Sequence, residues 1–101
     1  MHWELLQRAR AVDNQLFVLT CSPARDVDAK KKSPPAYEAW GHSTVVGPFA
    51  EILATTDERE SIVVAECDLE QIAIRRRNMP LETQRRGDLY AVVDRKPPPP
   101  P

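Results

Sequence analysis

The residues with chemical potential gather at two places in the chain. Thr20, Cys21 and Ser22 end an apolar run, and Arg25 follows in the next turn of chain. Cys21 is the obvious nucleophile, because α/β proteins build sites at strand ends and a thiolate attacks readily. Ser22-Pro23 follows it, however, and no helix N-terminus is there to stabilise a thiolate. Cys21 therefore reads as a buried, structural thiol, with a place in a pocket wall as the alternative. Thr20, Ser22 and Arg25 suit a substrate pocket better. The planar fork of Arg25 matches a carboxylate bidentately, against the plainer reading of a loop arginine in solvent. At the second place, His42-Ser43 suggests a hydroxyl–imidazole pair. Neighbours on a strand point to opposite faces, so the two cannot share a proton. His2 has no partner at metal-ligand spacing, and no zinc site is expected. Cys67 closes another apolar run and also reads as buried packing. No motif calls for a cofactor.

These groups sit in a chain of 101 residues, with 42% apolar residues and a formal net charge of -1. That is enough for one small domain with a modest core. Fourteen basic and fifteen acidic residues are interspersed, which argues against nucleic acid as a partner. The cluster Arg75-Arg76-Arg77 stands near Asp68, Glu70 and Glu82 and reads as a solvated helix face. Two cysteines are too few for a disulfide framework and suit a reducing, cytoplasmic or mitochondrial setting. No apolar run is long enough to span a membrane, and no signal-peptide core is visible.

The elements that must position the candidates follow from periodicity. Residues 2–14 read as a helix with Leu5, Leu6, Ala9 and Val12 on one stripe, and Glu4 paired with Arg8 on the other face. Residues 16–22 are apolar on both faces and predict a central strand, closed by Pro23. Residues 24–39 form a long polar loop with Lys30-Lys31-Lys32, read as solubilising. Residues 42–48 and 51–54 predict a hairpin turning at Pro48-Phe49-Ala50, and 61–66 a fourth strand. Asp68 with Gln71 caps a helix over 69–78, stopped by Pro80. Residues 89–93 are a short apolar segment able to dock on a core. Pro97 to Pro101 favour an extended polyproline tail. The order is one helix, four strands, one helix and a tail. That is an α/β layer whose two helices cover one side of the sheet and leave the 16–22 strand bare on the other. Residues 2–93 form the domain and 94–101 the tail.

Four strings then resemble the nitrilase superfamily of carbon-nitrogen hydrolases, and its omega-amidases in particular. They are His2-Trp3-Glu4-Leu5-Leu6-Gln7-Arg8-Ala9-Arg10-Ala11-Val12-Asp13-Asn14-Gln15, Thr20-Cys21-Ser22-Pro23-Ala24-Arg25-Asp26, Ala39-Trp40-Gly41-His42-Ser43-Thr44-Val45-Val46, and Arg85 through Asp88-Leu89-Tyr90. They occur in order across nearly all of residues 2–93 and resemble the family's C-terminal third. The resemblance implies an incomplete αββα sandwich, a small ω-amide substrate, and a homo-oligomer lined by residues 2–14. It also implies a cysteine nucleophile, a glutamate base and a lysine at the oxyanion. In the family these precede the helix with which this chain opens, so none maps onto it, and the abrupt start at Met1 is expected to reflect a fragment. The family's hairpin carries glycine where this chain has Ala50, and its loop is shorter than residues 26–37 here. Three functions compete: an inactive amidase fragment, a binding module docking through residues 2–14 or its proline tail, and an unstable remnant.

Overall fold

A computed structural model describes residues 2–34 and 36–95. The proline tail lies outside the described residues. The chain opens with α1 (His2–Asn14), as its periodicity predicts. Glu4 and Arg8 pair at 3.1 Å on its outer face. The helix ends in a Schellman motif. Gln15 takes the left-handed conformation at φ 54°, its N–H bonds Val12 O, and Leu16 N–H bonds Ala11 O.

Three short strands follow: β1 (Val18–Thr20), β2 (Thr44–Val46) and β3 (Ile52–Thr55). They form one antiparallel sheet in the order β1-β2-β3. The hairpin between β2 and β3 forms as predicted. Gly47 N–H bonds Glu51 O, and Ala50 N–H bonds Gly47 O. Ala50 sits at φ 70°, in the left-handed region that favours glycine. Arg8 Nε donates to Ala50 O at 2.9 Å and ties α1 to this turn.

Several expectations need correction. The 16–22 strand is not central: β1 is an edge strand, and the buried middle strand is β2. Its second face is bare as predicted, with Leu19 66% exposed. The predicted strand at 61–66 does not form: these residues take no regular secondary structure and join no sheet among the described residues. The sheet therefore has three strands, not four. The second strand is shorter than 42–48 because Gly41 and His42 both take left-handed backbone, at φ 72° and 57°. α1 also packs on an unexpected face. Gln7 and Ala11 are buried against the sheet, while Leu5 and Leu6 point outward at 63% and 52% exposure.

The second predicted helix forms as α2 (Glu70–Asn78), and a short α3 (Leu81–Gln84) follows Pro80. Asp68 Oδ1 accepts Glu70 N–H at 3.0 Å, and Gln71 Nε2 reaches the same carboxylate. α2 buries no residue and covers no strand. It is held from the side: Gln15 Nε2 donates to Met79 O at 2.6 Å, and Arg75 stacks 5.2 Å from the Phe49 ring centroid. Arg75 thus leaves the solvated face predicted for it, while Arg76 and Arg77 keep to it. Residues 89–93 do not dock on the core, and Val92 is 99% exposed. No helix among the described residues is long and apolar enough to cross a membrane.

Candidate functional site

The site is built where β1 and β3 end and β2 begins. Antiparallel register brings Thr20, Thr44 and Thr55 into one row across the sheet. Thr44 Oγ1 and Thr55 Oγ1 are 3.0 Å apart, and Thr20 Oγ1 lies 3.3 Å from Thr44 O. From α1, Gln7 Oε1 accepts the Thr20 hydroxyl at 2.6 Å. Gln7 Nε2 is buried and finds no acceptor among the described residues.

Beyond Thr20 the chain turns through Ser22 into the 24–39 loop. Ser22 and Ser43 hold one another: Ser22 N–H donates to Ser43 Oγ at 2.9 Å, and Ser43 Oγ donates to Ser22 O at 3.2 Å. Gly41 N–H donates to Ser22 Oγ at 3.1 Å. A Cβ on Gly41 would stand 2.5 Å from Glu58 Cα, so this close crossing of two backbones requires glycine. Arg25 Nε and Nη2 donate to Ala39 O and Trp40 O, and its guanidinium lies 5.5 Å from the Trp40 ring centroid. Arg25 is therefore neither free in solvent nor presenting its full fork to a ligand. It clamps both ends of the loop. His42 stacks on Trp40 at 4.8 Å and its Nδ1 meets Trp40 O. Ser43 faces Ser22 instead and His42 stacks on Trp40, so the hydroxyl–imidazole pair does not form; both residues precede β2, with His42 in left-handed backbone, so strand alternation is not the reason.

The loop itself is folded around ion pairs. A 3-10 turn at Ala29–Lys31 buries Ala29. Lys30 pairs with Glu38, Lys31 with Asp28, and Lys32 with Asp26. The lysine run does more than solubilise. Hydrogen bonds from Lys32 and from the Asp28 backbone hold the Asp26 carboxyl below its ordinary range, and the Lys30 bond does the same for Glu38.

Four predicted pocket residues thus part company. Thr20 and Ser22 line adjoining clefts on the α1 side. One, of about 220 Å³, is walled by His2, Trp3, Ser22, Tyr37 and Trp40. Another, of about 280 Å³, runs along Thr20, Val18 and Leu6. Arg25 belongs to the loop clamp. Cys21, one residue past β1, is exposed and not buried, because the described residues leave it uncovered. Cys67 is half-buried, again because the 61–66 segment lacks a sheet to pack it. Sequence reasoning missed Gln7, Trp3 and the Thr44–Thr55 pair. Trp3 Nε1 donates to His42 O at 2.9 Å and pins the start of α1 to the loop. Among the described residues no group of three or more His, Cys, Asp and Glu side chains is placed to hold a metal.

A helix laid on a small antiparallel sheet, with a strand end opening beside the helix start, makes this a partial α/β fragment. The chain belongs to the carbon-nitrogen hydrolase family, whose sequence profile matches residues 1–77. It is 61% identical over 94 residues to the chloroplastic omega-amidase of Arabidopsis thaliana, covering 93% of this chain and 24% of that protein. It is 53% identical over 96 residues to the human omega-amidase NIT2, covering 95% of this chain and 33% of that one. Among solved structures it resembles Saccharomyces cerevisiae Nit3, of the nitrilase superfamily, with a TM-score of 0.72, 49% identity, and coverage of 85% and 30%. It also resembles the C. elegans NitFhit protein, with a TM-score of 0.76, 36% identity, and coverage of 89% and 20%. The chain thus spans a quarter to a third of the length of the curated omega-amidases it matches.

Proposed function

We propose that this chain is the C-terminal part of an omega-amidase-type carbon-nitrogen hydrolase, supplying a substrate-pocket wall and a subunit-facing helix, and that alone it turns over no amide. The observation that carries this reading is the identity to omega-amidases across almost the whole chain. The geometry supports it. The polar groups at the strand end are bonded to one another, and exposed Cys21 lines neither of the two clefts described there. A thiol nucleophile needs a positioned base and an oxyanion partner, and the strand end supplies neither to Cys21. In the complete enzyme a cysteine, glutamate and lysine from other segments would attack the terminal amide of α-ketoglutaramate or α-ketosuccinamate and release ammonia. Thr20 and Ser22 would wall that pocket and Arg25 would hold its loop.

Purified chain incubated with α-ketoglutaramate tests this by ammonia release. No turnover above buffer is expected. Turnover would contradict the reading, and its persistence in Cys21→Ala would show a site elsewhere in the chain.

The outward Leu5 and Leu6 favour a second reading, in which α1 docks on full-length amidase subunits. Co-purification with such a subunit, lost in Leu5→Glu with Leu6→Glu, is the expected outcome. A chain that ignores the subunit would exclude it.

A further inference from the structure

Beside Ser22 a side chain takes the place of a strand's backbone. β1 and β2 pair Val18 with Val46, Leu19 with Val45 and Thr20 with Thr44. Two steps on, that register sets Ser22 opposite His42. Ser43 O accepts Thr56 N–H at 2.9 Å, so the Ser43 main chain faces β3, and alternation would turn the His42 main chain toward β1. It does not turn there. His42 stands in left-handed backbone at φ 57°, and its N–H donates to Asp57 O at 2.9 Å. Its C=O accepts Trp3 Nε1 at 2.9 Å and Thr44 Oγ1 at 2.8 Å. The N–H and C=O of Ser22 therefore lack the ladder partner that the register assigns them. Both go to one atom: Ser43 Oγ accepts Ser22 N–H at 2.9 Å and donates to Ser22 O at 3.2 Å. A hydroxyl can fill both roles because it donates and accepts at once.

We infer that Ser43 is a positioning residue: its hydroxyl replaces the His42 backbone as the partner of Ser22, and so fixes the pocket wall that Ser22 forms. His42 is thereby left to hold the start of α1 through Trp3. Ser22 Oγ in turn accepts Gly41 N–H at 3.1 Å, beside the close crossing at Glu58. Ser22, Trp3 and Trp40 wall the same cleft of about 220 Å³, so the place of Ser22 is part of that cleft's shape. That the cleft belongs to an amide-hydrolase pocket rests on the proposed function. The order of the bonds, Ser43 holding Ser22 and Ser22 holding Gly41, does not.

Residue-resolved hydrogen exchange of the whole chain tests that order. Ser43→Ala should cost the Ser22 and Gly41 amides at least about tenfold in protection, with Val45 and Val46 unchanged. Ser22→Ala should expose the Gly41 amide alone, because Ser43 Oγ still accepts the N–H of residue 22. Ser43→Thr keeps the hydroxyl and should restore both amides to the wild-type level. Ser43→Cys keeps the volume and weakens both bonds, and carries the same expectation as Ser43→Ala if the alanine variant does not fold. A Ser22 amide as well protected without the Ser43 hydroxyl as with it overturns the inference. So does loss of protection at residue 22 in Ser22→Ala, or a threonine variant that behaves like the alanine one. Turnover of α-ketoglutaramate by the isolated chain would contradict the proposed function instead, so the two failures are read separately.

Discussion

At Ala50 a side chain is held where glycine belongs. Left-handed backbone costs an L-residue about 1–2 kcal/mol, and glycine gives back about 0.5–1 kcal/mol of that through its freedom in the unfolded chain. Ala50→Gly should therefore stabilise the hairpin by about 0.5–1 kcal/mol, read as a raised denaturant midpoint at unchanged slope. A lowered midpoint would mean that the Arg8 bond to Ala50 O demands the alanine. Thr20 makes the opposite case. Among the described residues its hydroxyl is the partner of the Gln7 side-chain oxygen, and the amide nitrogen has none. Thr20→Val should cost about 1–3 kcal/mol, because a buried group loses its bond with no water to replace it. An unchanged midpoint would show that Gln7 re-pairs elsewhere. The residue scale was half legible. The apolar runs betray the strands, but the row of Thr20, Thr44 and Thr55 exists only once register is known, and no spacing in the sequence announces it.

At the scale of elements, the 24–39 loop is the least expected structure. Its lysines read as merely solubilising, and they pair with Glu38 and Asp26 in a loop that Arg25 clamps. The Asp26 and Glu38 carboxyls titrate below their ordinary 3.8 and 4.5. A depressed carboxyl stabilises the folded loop fully above its unfolded value, and that contribution is lost as pH falls through the folded one. The loop should hold from neutral pH down to the ordinary carboxylate range and loosen below it. Exchange of the Ala36 amide, bonded to Ala29 O at 2.9 Å, reports this directly. Protection of Ala36 that is indifferent to acid would mean that backbone bonds alone hold the loop. α1 and the hairpin were legible because each carries its own period and turn chemistry. The 61–66 segment reads as a strand and forms none, because a strand depends on what lies beside it to pair with. The face α1 buries was misread for a related reason: its leucine stripe is the stronger signal, yet Trp3, Gln7 and Ala11 meet this sheet.

The whole molecule is a small core with wide margins. Its radius of gyration is 19.0 Å, against about 13 Å for a compact domain of this length. The core is narrow: Ala11 and Val46 are fully buried, with Val45 nearly so. Val46→Ala removes about two methylenes' worth of burial and opens a void, costing about 2–3 kcal/mol. In so small a core that should bring the chain close to its unfolding midpoint, visible as lost near-UV dichroism from Trp3 and Trp40. These few residues form a true fold whose polar strand end stays uncovered among the described residues. Residue-resolved hydrogen exchange tests it most directly. Slow, cooperative exchange is predicted at Val45 and Val46, with fast exchange at residues 89–93. Uniformly fast exchange through β2 would contradict it, for then there would be no core to hold the strand end in place.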